Sequence, residues 1–243
     1  MKITALKALS IFGLSTIALN TNAQEAIHMN HTASYIEMNA ATGQTTEFAQ
    51  FLTGAAAPIV RQAEPGTTLW FALQGAEKQL AIFDIFTSEQ ARNTHFSGVV
   101  AGALHENAER LVQGGWNDGV VANINNSAVL SAKAPVEPHS ATTASYIKLR
   151  AAPGQSEALA QLLTAAGPIV AETEPQTLYW VALQIDENNF AIFDIFASNQ
   201  GREAHFAGKV ANLLKHKSAQ LVEGGWEQGV VANVSNYSIL AIN

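Results

Sequence analysis

There is no cysteine among the 243 residues. That excludes a disulfide framework, a thiolate metal centre and a cysteine nucleophile. Basic residues are scarce, 13 Lys and Arg against 20 Asp and Glu, for a formal charge of −7. Such a balance lacks the basic patches that nucleic acids and anionic membrane surfaces select. No G-x-S-x-G, H-E-x-x-H or glycine-rich phosphate loop occurs, so the familiar nucleophile-elbow, zincin and P-loop chemistries have no motif here. His28-x-x-His31 has ligand-like spacing but stands near the start of the chain without further ligands, and no metal site is expected. Long apolar runs are also missing, apart from "ALSIFGLSTIAL" at 8–19.

That run follows Lys2 and Lys7 and precedes Thr21-x-Ala23, a small-residue cleavage pattern. It is shorter than the ~20 residues a spanning helix needs. The three features read as a signal peptide over 1–23, which makes the mature chain an exported one, periplasmic or secreted, with no membrane attachment. Without the two lysines, eleven basic residues face twenty acidic ones.

With 48% apolar residues the chain can bury a substantial core. Its dominant feature is an internal repeat. Residues 58–126 and 168–236, offset by 110, are identical at 37 of 69 positions, and "AIFDIF" recurs unchanged at 81–86 and 191–196. Upstream the offset is 111, where "ASY" at 33–35 meets "ASY" at 144–146. The chain is therefore two copies of one unit, 33–131 and 144–243. Between them runs "SAKAPVEPHSATT" (131–143), whose Pro/Ser/Thr-rich body, 132–143, reads as a linker.

Each copy reads β-α-β-β-α-β. "ASYIEMN" alternates as a strand, and the helix over 43–60 places Phe48, Phe51, Leu52 and Ala55 at helical spacing, with Pro58 helping to end it. "TTLWFALQ" and "LAIFDIF" form a hairpin through "GAEK". One long helix follows over 88–112, with Ser88 as N-cap and Gly114-Gly115 as its stop, and "NSAVLSA" is the last strand. This order is that of an α+β ferredoxin-like βαββαβ sandwich. Its bare sheet face can be buried only against another sheet, so two copies are expected to pair sheet to sheet as a barrel within one chain. Whether two chains pair further is left open.

Strand parity groups Tyr35, Trp70, Gln74, Asp84 and Phe86 apart from a purely apolar set, and likewise Tyr146, Trp180, Gln184, Asp194 and Phe196. The mixed sets are expected to face the barrel interior as a ligand cavity with aromatic walls. A mid-strand carboxylate needs a partner when buried. Asp84 and Asp194 either bond Arg92 and Arg202, or a backbone amide, structurally or accept a proton in catalysis. Either role is open to His95 and His205 too, kept in both copies while His105 and His216 have no counterpart. Trp116 and Trp226, after the Gly-Gly pairs, read as packing residues.

The segment "F-D-x-F-x-x-x-x-x-R-x-x-H", present twice, resembles the antibiotic biosynthesis monooxygenase family of dimeric α+β barrels, and the likeness covers nearly all of the chain after residue 23. The resemblance implies a cavity between strand face and long helix with His95 and His205 at its mouth, and a dimer made internal by duplication. It also implies oxidation of a quinol or polycyclic phenol by O2 without cofactor. Under it, His95, His205, Asp84 and Asp194 are the catalytic candidates. Trp70, Trp180, Tyr35, Tyr146, Gln74, Gln184, Phe86, Phe196, Arg92 and Arg202 are the substrate-binding candidates. A haem-degrading branch of the superfamily offers an alternative, but it pairs its histidine with a tryptophan near the end of the third strand, where this chain has Phe86 and Phe196. The remaining alternative is a non-catalytic binding protein for an aromatic or lipid-like ligand.

Overall fold

The computed structural model describes residues 31–243; the expected signal peptide and His28 lie outside the described residues. The first repeat contains strands β1 (Thr32–Asn39), β2 (Thr67–Gln74), β3 (Gln79–Phe86) and β4 (Ile124–Lys133). Its helices are α1 (Thr45–Phe51) and α2 (Ala57–Ala63), joined by a π turn (Leu52–Ala56), then α3 (Glu89–Phe96) and α4 (Val99–Leu111). The second has β5 (Thr143–Arg150), β6 (Thr177–Gln184), β7 (Asn189–Phe196) and β8 (Val234–Ile242), with α5 (Ser156–Thr173), α6 (Asn199–Phe206), α7 (Lys209–Leu221) and α8 (Gly225–Gly229). Among the described residues no helix is long and apolar enough to cross a membrane.

The eight strands close one antiparallel barrel in the order β1-β3-β2-β8-β5-β7-β6-β4. Closure depends on exchange between the repeats. β4 pairs with its own β1 through its first half and with β6 through its second (Ala132 opposite Val181), and β8 likewise pairs with β5 and then with β2 (Ala72 opposite Ala241). The expected linker therefore begins as strand, since β4 runs through Lys133 before a 3₁₀ turn at Pro138–Ser140. Among the described residues no sheet edge remains exposed.

The barrel interior is solid. Tyr35 and Tyr146 stack with ring centroids 3.7 Å apart, and Phe83 on Phe193 at 3.8 Å. Phe71, Leu73, Val181 and Leu183 fill the rest. Of the side chains expected to face inward, Tyr35 and Tyr146 do. Trp70, Gln74, Asp84 and Phe86, and Trp180, Gln184, Asp194 and Phe196, are on the opposite parity of their strands and face the helices. The physical reason is that β2, β3, β6 and β7 are buried on both faces, so neither parity is polar and the large apolar set could serve either layer.

Two helical expectations change as well. Pro58 does not end the first helix: the chain continues through the π turn to Ala63, and Pro168 sits within α5. The helix expected over 88–112 is two helices. Ser88 does cap the first, accepting from the Ala91 N–H, but Gly98 is extended and starts the second.

The stacked interior should dominate stability. Phe83→Ala removes a fully buried ring and should cost about 3–5 kcal/mol in urea unfolding. Val99→Ala, exposed on α4, should cost little.

Candidate active site between the sheet and the helices

A polar row crosses each helix-facing sheet. In the second repeat Asn236, Ser145, Asp194 and Trp180 are register partners across β8, β5, β7 and β6. The Ser145 hydroxyl donates to Asn236 Oδ1 at 2.8 Å. Asn126, Ser34, Asp84 and Trp70 repeat the row, with Ser34 donating to Asn126 at 2.7 Å. Asp84 and Asp194 are fully buried, and neither carboxylate accepts a well-directed hydrogen bond.

A histidine from the helix above meets each aspartate. His205 Nε2 lies 3.2 Å from Asp194 Oδ2, and His95 Nε2 lies 4.0 Å from Asp84 Oδ2. The other ring nitrogen contacts a glutamate: His95 Nδ1 is 2.5 Å from Glu64 Oε2, and His205 Nδ1 bonds Glu174. Thr67 and Thr177 donate to the same glutamates at 3.2 and 3.3 Å. The arrangement is a carboxylate–imidazole–carboxylate line, present twice.

Local backbone makes room for it. Glu64 and Glu174 follow the first helix of each repeat and reach the N-termini of α4 and α7. A Cβ at Gly208 would stand 2.4 Å from Glu174 Oε1, and one at Gly98 3.2 Å from Glu64 Oε1. The extended glycine that breaks the long helix therefore admits the carboxylate, which the positive end of the new helix favours.

Burial pushes Asp84 up to about 7, partly offset by the His95 charge, and burial raises Asp194 as well. Burial alone would lower both imidazoliums. The facing carboxylates outweigh it, raising His95 and bringing His205 to about 9. His205 is thus an imidazolium at neutral pH.

The cavities differ. In the second repeat about 350 Å³ opens beneath α6 and α7, bounded by Trp180, His205, Phe206, Trp226, Val231 and Asn236 among others. The equivalent space of the first repeat holds about 30 Å³. Only the larger falls within the 300–1,000 Å³ usual for ligand sites. The Trp180 indole N–H is buried there with no hydrogen-bond partner among the described residues. On its outer side His205 borders a groove of about 530 Å³ shared with Glu174, Gly208 and Lys209.

Of the residues singled out in the sequence, the structure unites Asp84, His95 and Trp70, and Asp194, His205 and Trp180. Phe86 and Phe196 pack against the histidine rings at 5.3 and 5.5 Å. Arg92 bonds Glu89 and Arg202 bonds Asn199, so neither pairs with the aspartates. Gln74 and Gln184 end their strands and line neither cavity, and Tyr35 and Tyr146 belong to the barrel core. Sequence reasoning missed Glu64 and Glu174, identical at the 110-residue offset. It took Trp116 and Trp226 as packing residues, whereas both line cavity walls, under His105 (4.6 Å) and Lys215 (5.8 Å).

His205 is poorly placed to ligate haem iron, because both its ring nitrogens face carboxylates.

No protein-family model matches the sequence, and no curated protein does. Among solved structures, a candidate monooxygenase from Fusobacterium nucleatum subsp. nucleatum superposes with a TM-score of 0.74 at 14% identity, over 89% of this chain and 95% of that one. Another from Lactobacillus acidophilus gives 0.71 at 10%, over 88% and 96%. An anthrone oxidase-like protein gives 0.57 at 11%, over 89% and 94%. The chain shares the α+β barrel fold of these structures, with its two halves in one polypeptide.

His205 gives the protein an unusual pH response. Its folded value is above the unfolded ~6.5, so the folded state holds the extra proton between the two. The resulting stability is complete below pH 6.5 and is lost as pH rises through 9. On the order of 3 kcal/mol should disappear across that window, while Lys133, lowered by burial, works in the opposite sense. Urea midpoints at pH 6 and 9.5 check this, and His205→Gln should flatten the difference.

Proposed function

We propose that the protein is a cofactor-independent monooxygenase that oxidises an electron-rich phenol or quinol with O2 in the second-repeat cavity. One observation carries the reading: an apolar cavity of about 350 Å³ whose wall holds an imidazolium, His205, together with the unpartnered N–H of Trp180. Both suit an oxygen atom that acquires negative charge. The fold shared with candidate monooxygenases and with an anthrone oxidase-like protein agrees with it.

In this scheme the aromatic rings of the wall hold the substrate, and the imidazolium lowers the pKa of its hydroxyl. The proton leaves to solvent, and the phenolate oxygen accepts from Trp180. One electron passes from the ring anion to O2, giving superoxide and a ring radical next to a fixed cation. The two combine at a ring carbon as a peroxide. Loss of water then leaves a carbonyl, so that a CH2 (the keto form of the phenol) and O2 become C=O and H2O. The substrate supplies all the electrons. Glu174 and Asp194 keep His205 charged and oriented, so it acts as an electrostatic partner. A general base would have to be neutral at the working pH.

Oxygen uptake against hydroquinones and polycyclic phenols, with a chelator present, tests the reading. His205→Ala should lower kcat/KM at least ~100-fold, and Trp180→Phe about tenfold, as expected for one lost hydrogen bond. The rate should rise as the substrate ionises and fall above pH 9 as His205 loses its proton. A rate that climbs through pH 9 would assign His205 as a base instead. Tight binding without uptake would favour a non-catalytic carrier of the same aromatic class.

A further inference from the structure

The two halves retain the same catalytic line but not the same space. The offset between repeats is 111 at Thr53 and Thr164 and 110 at Pro58 and Pro168, so the first repeat carries one extra residue between Thr53 and Pro58. The π turn Leu52–Ala56 falls at that point, where the second repeat has the unbroken α5. A π turn is how a helix absorbs a single inserted residue.

The insertion changes what faces the cavity. Phe51, Leu52 and Ala56 all line the first-repeat space, whereas no residue of α5 lines the second. The counterpart of Phe51 is the smaller Leu162. The other walls correspond, with Trp70, His95, Phe96 and Trp116 standing where Trp180, His205, Phe206 and Trp226 stand. What remains of the first cavity, about 30 Å³, has room for a water or two.

We infer that the chain has one working ligand cavity and one latent cavity, the latent one held shut by Phe51 and the inserted residue of the π turn. This rests on reading the second cavity as the ligand site. One aromatic molecule then binds per chain, although the sequence carries the site twice, and Phe51 sets that number.

Crystals under xenon pressure test the inference independently of substrate chemistry, because xenon enters dry apolar cavities of this kind. Wild type should show xenon in the second repeat alone, and Phe51→Ala should add it in the first. Because a truncated site can collapse, Phe51→Leu combined with deletion of the exposed Gly54 provides a second route, restoring the spacing of the other repeat. Calorimetric titration with 1-naphthol should give one site per chain in wild type and two in the opened variants. Xenon in both halves of the wild type, or in one half of both variants, would overturn the inference. If the xenon pattern holds and 1-naphthol binds nowhere, the latent cavity stands and the phenol-oxidase reading alone falls.

Discussion

A fully buried carboxylate in the middle of an apolar strand sets the terms for everything around it. Asp84 and Asp194 sit in β3 and β7 with no hydrogen-bond donor from the sheet. Left alone, such a group protonates, and the upward shift of both records that pressure. Compensation comes from above, and it has requirements. Ser88 and Ser198 fix the start of α3 and α6 so that His95 and His205 fall over the aspartates. Gly98 and Gly208 then break the helix so that Glu64 and Glu174 can hold the far side of the ring. A charge that would otherwise be a liability is held against an imidazole whose far nitrogen a second carboxylate fixes. The pattern F-D-x-F-x-x-x-x-x-R-x-x-H is the trace of that construction in the chain.

The second constraint is that neither half closes alone. Each repeat sends its last strand into the other, and the site follows. Lys133, from β4 of the first repeat, donates to the Glu174 carbonyl of the second at 2.8 Å. Asn243, after β8, accepts from the Trp70 N–H and donates to the Thr67 carbonyl of the first. The stacked Tyr35–Tyr146 and Phe83–Phe193 pairs lie on the pseudo-twofold between the sheets, so the barrel core is made by both repeats at once. Duplication in one chain holds the two faces together by covalent linkage rather than by concentration.

Much of this was legible in the letters. The repeat and the βαββαβ order follow from identity at a fixed offset and from periodicity, the barrel from the bare sheet face, and the grouping of Asp with Trp from strand parity, whereas the place of the histidines came with the family resemblance. The side of the sheet was not, because parity sorts residues into two sets without labelling them. A strand buried on both faces offers no polar side to break the tie. The barrel interior took Phe71 of β2 and Phe83 of β3, and the tryptophan went beneath the helices. The helix break at Gly98 was hidden because helical spacing resumes on the far side of the glycine. Glu64 and Glu174 were hidden for another reason. A glutamate before a proline at a helix end reads as a solvated surface residue, and only the packed structure brings it 31 positions along the chain to its histidine.

The difference between the halves follows from what each part of the duplicated unit contributes to stability. The chemistry-bearing residues remain in both, because Asp84 would be as costly to bury without His95 as Asp194 without His205. That cost acts on the fold whether or not any ligand enters, so it preserves the charged line in both repeats. The cavity is under no such constraint. Filling it with Phe51 and an extra helical residue adds apolar burial, which stabilises. Stability therefore keeps the charged line and removes the empty space beside it. A void of 350 Å³ next to His205 forgoes that packing, and this is why the open half, rather than the better-packed one, is where the proposed chemistry is placed.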